Sequence, residues 1–300
     1  MLNSDMLLAT LLWPMVAVAV VLSTLWIPAI QKSQNRVRFV AAAAVTAGAV
    51  VGYWGIIGAP HWPLAIDAKA RIPIIALLAL VATGLSLRFP AQIPSLIIGF
   101  ALALYVERLL LVAAIEFQWT QIQAIVRILV LAIGMLAMLV SVGQLQRELP
   151  AKLSIFIVAI VAGLPAPLMA FSDSLVLAQL HGALGVSMGL LCVATWVFSS
   201  RVVAGSVHTV AITLSWSLWS ICLLFANMPT LSFALLVSAV PLANIVLILS
   251  PKFSVRTRHL LVVASVLAAL LSSLVIGGMR YKNTSEATSA NDDDYGYGYE

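Results

Sequence analysis

Of the 300 residues, 62% are hydrophobic and 9% charged, with a mean hydropathy of +1.09. These values exclude an ordinary soluble domain, in which about 25% of side chains are charged. The net charge of +5 does not point to nucleic acid, because the 16 Lys and Arg residues fall in short clusters between apolar blocks.

Those blocks run to about 20 residues each, the length needed for a helix to cross a bilayer. Lipid cannot satisfy an open backbone, so the fold class follows: an all-α, polytopic integral membrane bundle. The alternation of a membrane β-barrel, in segments of about ten residues, is absent. In chain order the sequence predicts ten transmembrane helices, near 6–30, 39–58, 72–88, 94–115, 120–143, 153–171, 175–198, 206–226, 230–249 and 259–278. The segment 72–88 is the shortest, with Arg71 and Arg88 at its ends, and is expected to rely on snorkelling of those arginines. The connections are short and leave no room for a soluble domain, so 1–278 reads as a single bundle. Residues 279–300 read as a disordered acidic tail containing Asp292, Asp293 and Asp294 and alternating Tyr295, Tyr297 and Tyr299.

Basic residues set the expected orientation. With the N-terminus outside, the cytoplasmic connections carry ten: Lys32, Arg36, Arg38, Arg88, Arg147, Lys152, Arg201, Lys252, Arg256 and Arg258. The other side carries four, Lys69, Arg71, Arg280 and Lys282. Both termini are therefore expected outside the cytoplasm of an inner-membrane protein. The opening MLNSDMLL has no basic region before its apolar run, so 6–30 reads as a retained helix rather than a cleaved signal.

Three ionisable residues lie inside the predicted spans: Glu107 and Arg108 in one, Arg127 in the next. Charge at membrane depth is costly and marks a protein-facing pair or a polar path. In the predicted orientation all three sit roughly 10–13 Å below the outer surface, at 1.5 Å per residue. A short turn makes the two helices antiparallel neighbours, so a Glu107–Arg127 ion pair is expected; Arg108, one position round the helix, needs another acceptor or snorkels. His181, the run GLPAP with Pro165 and Pro167, and Pro14 fall near the same level. His61, Glu116 and Asp173 form an expected outer rim.

Other patterns read as packing. Ala44, Gly48 and Gly52, Ala178 with Gly182, and Gly185 with Gly189 place small residues four apart, which lets helices approach. Thr209, Thr213, Ser217 and Ser220 trace one face of the eighth span beside Trp216 and Trp219, read as an interhelical seam rather than a polar path. His208 and Asn244 read as local hydrogen-bonding residues. Cys192 and Cys222, both within apolar runs, give neither a disulfide framework nor a metal spacing.

No nucleotide-binding, zinc-hydrolase, serine-hydrolase, dinucleotide or haem-attachment motif occurs, so no cofactor is implied and no catalytic residue is assigned. The expected partners are the lipid bilayer and a small polar or anionic ligand. About ten helices with short loops matches the size of small secondary carriers, but no motif ties the chain to a family. The leading expectation is a transporter-like protein with a polar site on the outward side at Glu107, Arg108, Arg127 and His181. The alternatives are a scaffold or subunit of an envelope complex, and an intramembrane enzyme with His181 beside a carboxylate.

Overall fold

The computed structural model describes residues 7–58, 67–198 and 207–292. Among them are ten helices long and apolar enough to cross a membrane. These are α1 (Leu8–Trp26), α2 (Gln34–Ile57), α3 (Ala68–Arg88), α4 (Gln92–Leu110), α5 (Gln121–Glu148), α6 (Ala151–Phe171), α7 (Leu175–Val197), α8 (Val207–Phe225), α9 (Thr230–Leu249) and α10 (Val255–Asp292). The all-α multi-pass architecture read from the sequence is what the chain adopts.

Local chemistry sets the helix ends. Thr120 and Gln123 form a reciprocal capping box at the start of α5, satisfying two donors that the first turn leaves open. Ser174 caps α7 by accepting from the Leu177 amide at 3.4 Å. Asp173 and Asn227 turn the chain into α7 and α9 with φ of 60° and 54°, a region that Asp and Asn tolerate better than most residues. Pro165 splits α6 into Ala151–Gly163 and Ala166–Phe171, as the GLPAP run implied, because proline lacks the donor a continuous helix needs. In α1, a π-helical turn over Leu8–Leu12 leads into Trp13–Ser23, whose second residue is Pro14.

One expectation changes: α3 does not depend on snorkelling. A 3-10 turn at Ala68–Arg71 adds to the α-helix Ile72–Arg88. Together they are roughly 33 Å long, enough for a hydrocarbon core of about 30 Å. Arg71 turns inward instead, is 8% exposed, and donates to the Leu109 carbonyl at 2.6 Å. Leu109 is in the last turn of α4, where carbonyls lack helical partners. At the other end of the chain, α10 continues as a helix through Asp292. Asp293, Asp294, Tyr295, Tyr297 and Tyr299 lie outside the described residues.

Small residues bring α1, α2, α6 and α7 together. A Cβ on Gly52 would meet Ala183 at 2.7 Å and Pro14 at 3.1 Å. One on Gly185 would come within 2.5 Å of the Gly163 backbone. Close approach without a polar driving force is what such positions permit in lipid.

The interior helix is α8. It packs against α2 through α7 and against α9. In α8, 78% of the most apolar stretch is buried, against at most 50% in any other span. Yet α8 is the least apolar of the ten. The inversion has a physical cause: lipid penalises polar side chains, so the helix with most of them is enclosed by the others. The outer helices present Val130, Ile122, Ile248 and Leu249 outward.

Candidate functional site

The sequence of α8, VHTVAITLSWSLWSICLLF, alternates hydroxyls and indoles through an apolar ground. Thr213, Ser215, Ser217 and Ser220 are completely buried, as is Trp219, and Trp216 is nearly so. An indole N–H in such a setting needs an acceptor. Trp216 and Trp219, three residues apart, point about 60° apart round the helix and find acceptors on different neighbours. Trp216 Nε1 donates to Glu107 Oε1 of α4 at 2.6 Å. Trp219 Nε1 donates to His181 Nε2 of α7 at 2.9 Å, with the two rings nearly parallel. The Trp216 ring fits because Gly134 on α5 has no side chain; a Cβ there would lie 2.5 Å from the indole. Phe233 on α9 closes the other side, edge-on at 5.6 Å.

These bonds leave donors and acceptors over. His181 accepts at Nε2, so its neutral ring carries the proton on Nδ1, and Nδ1 has no partner among the described residues. Glu107 Oε2 is also unpartnered, as are the hydroxyls of Thr213, Ser215 and Ser220. Ser220 lies beside the Glu107 carboxyl without a formed hydrogen bond. Only Ser217 follows the self-bonding habit of helical hydroxyls, to the Thr213 carbonyl at 2.8 Å. The α8 links to α4 and α7 are therefore made by indoles, and the hydroxyls are not an interhelical seam. A charged Glu107 wants a donor at Oε2, and a protonated one supplies its own; a buried water or a mobile proton meets either need.

The expected ion pair does not form. Glu107 sits one turn from the end of α4, with its side chain directed at Trp216. Arg127 is on the exposed face of α5 with its guanidinium 4.4 Å from the Trp119 ring centroid. An antiparallel hairpin fixes which helices are neighbours but not which faces meet, and the faces put these two charges apart. Arg108 is exposed, with no hydrogen bond or ion pair among the described residues. Of the four candidate residues, Glu107 and His181 come to one interior helix, and Arg108 and Arg127 lie outside it. In the expected rim, Glu116 is exposed on the short helix Val112–Phe117 and Asp173 is exposed at its turn. His61 lies outside the described residues. Neither Glu107 nor any other carboxylate bonds His181, and no three of His, Cys, Asp or Glu converge among the described residues.

The sequence reading missed the Val207 end of α8. There α3, α4, α5 and α8 pack in a closed ring, each against the next. They border a half-open pocket of about 280 Å³, with the lining residues Gln92, Gln144 and Arg147 exposed. Its polar lining includes Gln92, Ser95, Gln144, Arg147, His208 and Thr209, with no Asp or Glu. Gln146 ties α5 to α8 through His208 Nδ1 at 2.5 Å. Glu148, next to Arg147, is engaged by Arg258 at 3.7 Å, whereas Arg147 has no acidic partner among the described residues. The signal is present in the sequence, where QLQR at 144–147 reads as part of a connection, His208 as a local hydrogen-bonding residue and Thr209 as part of the seam. Asn244 likewise bonds between helices, to the Ser141 carbonyl of α5 at 2.8 Å.

The chain is thus a multi-pass membrane protein with a polar interior helix, tied to its neighbours by indole bonds near its middle and bordering a pocket at its Val207 end. Comparison with protein-family models, with curated proteins and with solved structures finds no match.

Proposed function

We propose that the chain is a carrier-like membrane protein in which α8 lines the path of a small polar solute. One observation carries the reading: the most enclosed helix is also the least apolar, and its buried polar atoms are not used up by packing. A bundle built only for stability gains little from five orphaned polar atoms, each costing about 1–3 kcal/mol. Enclosed polar groups in a membrane protein otherwise mark solute or proton routes. In this reading the cavity at Arg147 is the solute entrance, and Glu107 with His181 forms the closed end. The two bonds from Trp216 and Trp219 are what must open for alternating access. Glu107 is the group that exchanges a proton as its indole partner leaves. The basic bias of the connections supports a cytoplasmic entrance, with both termini on the other side, in an inner membrane.

The test is counterflow into proteoliposomes with a panel of labelled small carboxylates, phosphate and neutral sugars. The wild type is expected to exchange at least one, and Glu107→Gln at matched incorporation to slow it at least tenfold, with Arg127→Met unchanged. Exchange unaffected by Glu107→Gln would remove Glu107 from the path, and no exchange across the panel would sink the carrier reading.

A second reading, a subunit of an envelope complex, is favoured by α10, which extends about 14 residues past its apolar stretch as a polar helix. Stoichiometric co-purification of a partner, lost on truncation after residue 280, would support it. An intramembrane enzyme lacks such support: His181 faces an indole, which is neither a nucleophile nor a carboxylate.

A further inference from the structure

We infer that the cavity between α3, α4, α5 and α8 is a binding site for a small soluble anion, of the carboxylate or phosphate type. The inference rests on the reading above only in taking this cavity as the ligand site; it does not require transport.

The charge balance of the walls is the first argument. Among the described residues Arg147 is the only formally charged side chain lining the cavity, and its neighbours Gln92, Ser95, Gln144 and Thr209 are neutral groups able to donate. Glu148, the next residue of the helix, lies about 100° round from Arg147 and does not face it. It is held by Arg258 at 3.7 Å, across the α5–α10 gap, which leaves the Arg147 guanidinium uncommitted among the described residues. A planar guanidinium with a row of amide and hydroxyl donors matches the oxygens of a carboxylate or phosphate.

The second argument is size. The pocket is bordered by four helices in contact and is half open, lined in part by the exposed Gln92, Leu96, Val140, Gln144 and Arg147. A free solute and a lipid headgroup carry the same oxygen chemistry there, and the experiment below separates them. A volume of about 280 Å³ is at the small end for ligand sites. It admits a phosphate or a short mono- or dicarboxylate and excludes a nucleotide or a folded peptide segment.

The third argument is position. The bond between Gln146 and His208 fixes α8 to α5 one residue from Arg147. The guanidinium is therefore carried on a stiff frame, where a point of attachment costs little reorganisation.

The experiment uses the full chain, purified in a neutral detergent and in nanodiscs, with calorimetric titration at constant ionic strength. The probes are inorganic phosphate, sulfate, acetate and succinate, with glucose as the neutral control. Saturable binding of at least one anion, weakened at least tenfold by Arg147→Gln and partly restored in Arg147→Lys, is the expected result. Gln144→Leu should weaken the same anion severalfold, and Arg127→Gln, at the other end of the bundle, should leave it unchanged. Unliganded melting temperatures within a degree or two confirm that the variants fold. The lipid arm compares nanodiscs of phosphatidylcholine alone with discs containing phosphatidylglycerol. Competition by phosphatidylglycerol with no binding of any soluble probe would overturn the proposal in favour of a headgroup site. Absence of saturable anion binding, or binding equal in Arg147→Gln, would overturn it outright. Anion binding without counterflow would sustain this site while the carrier reading fails.

Discussion

The middle of α8, where it meets Glu107, and its Val207 end use the same kinds of residue to opposite effect. In the middle, Trp216 and Trp219 commit their donors to Glu107 and His181, and Gly134 and Phe233 hold the Trp216 ring in place. At the Arg147 end, Gln146 and His208 bond each other, but Arg147 has no acidic partner among the described residues and the space beside it is empty of side chain. The difference lies in the size of the side chains as much as in their polarity. Two indoles fill the interior near the middle of α8, whereas Ser95, Gly99, Gly143 and Thr209 are among the small residues that line the gap near its Val207 end. Closure in this protein is thus a matter of bulky donors meeting buried acceptors, and opening a matter of small residues around one cation.

The strongest way to break the contrast is Gly134→Leu. The new side chain has no space beside Trp216, and overpacking of this kind costs about 1–3 kcal/mol, occasionally more. A lowered melting temperature together with altered Trp fluorescence is expected; an unchanged melting temperature would mean that the ring is not gripped. Trp216→Phe keeps most of the volume and removes only the donor to Glu107. Interhelical bonds in membrane proteins average about 0.6 kcal/mol and reach about 1.7. Because this one ends on a buried carboxyl, a loss near the upper figure is expected, and Glu107→Gln in the same background should recover part of it. Trp219→Phe should cost less, because the acceptor on His181 is a neutral ring. Arg127→Met sharpens the contrast from outside: losing an exposed cation–π contact costs about 0.5–1 kcal/mol, and no coupling to Glu107→Gln is expected in a double-mutant cycle. The smallest stability effect belongs to Arg147→Gln, expected within about 0.5 kcal/mol as for surface changes generally. A large loss there would show that the arginine holds the bundle together rather than waiting for a ligand.

Much of the fold was legible because its signals are local. Length and apolar content define a span irrespective of what surrounds it, and the GLPAP break follows from the missing proline donor. The small-residue positions Gly48, Gly52 and Gly185 were readable as places of close approach, and each meets a neighbouring helix. The site was only half legible. Glu107 and His181 stand out as ionisable groups within apolar runs, and both are buried on α8's neighbours. Their partners were in view as Trp216 and Trp219, but an indole advertises apolar bulk, and its single donor becomes informative only once an acceptor faces it. Arg127 was misread for a related reason: helix proximity was inferred correctly, but the rotation of α5 about its axis was not. Arg71 reversed its expected role because α4 ends just where the arginine can reach a terminal carbonyl.

The sequence by itself determined that the chain crosses a membrane with ten candidate helices, where all of them but the last begin and end to within about five residues, and that a few ionisable groups lie within them. These follow from transfer free energy and backbone hydrogen bonding, which each segment satisfies alone. Only the tertiary structure decided that α8 is the enclosed helix, that Glu107 answers to an indole rather than an arginine, and that a cavity opens beside Arg147. Those outcomes depend on how helix faces rotate against one another, and no segment carries that information on its own.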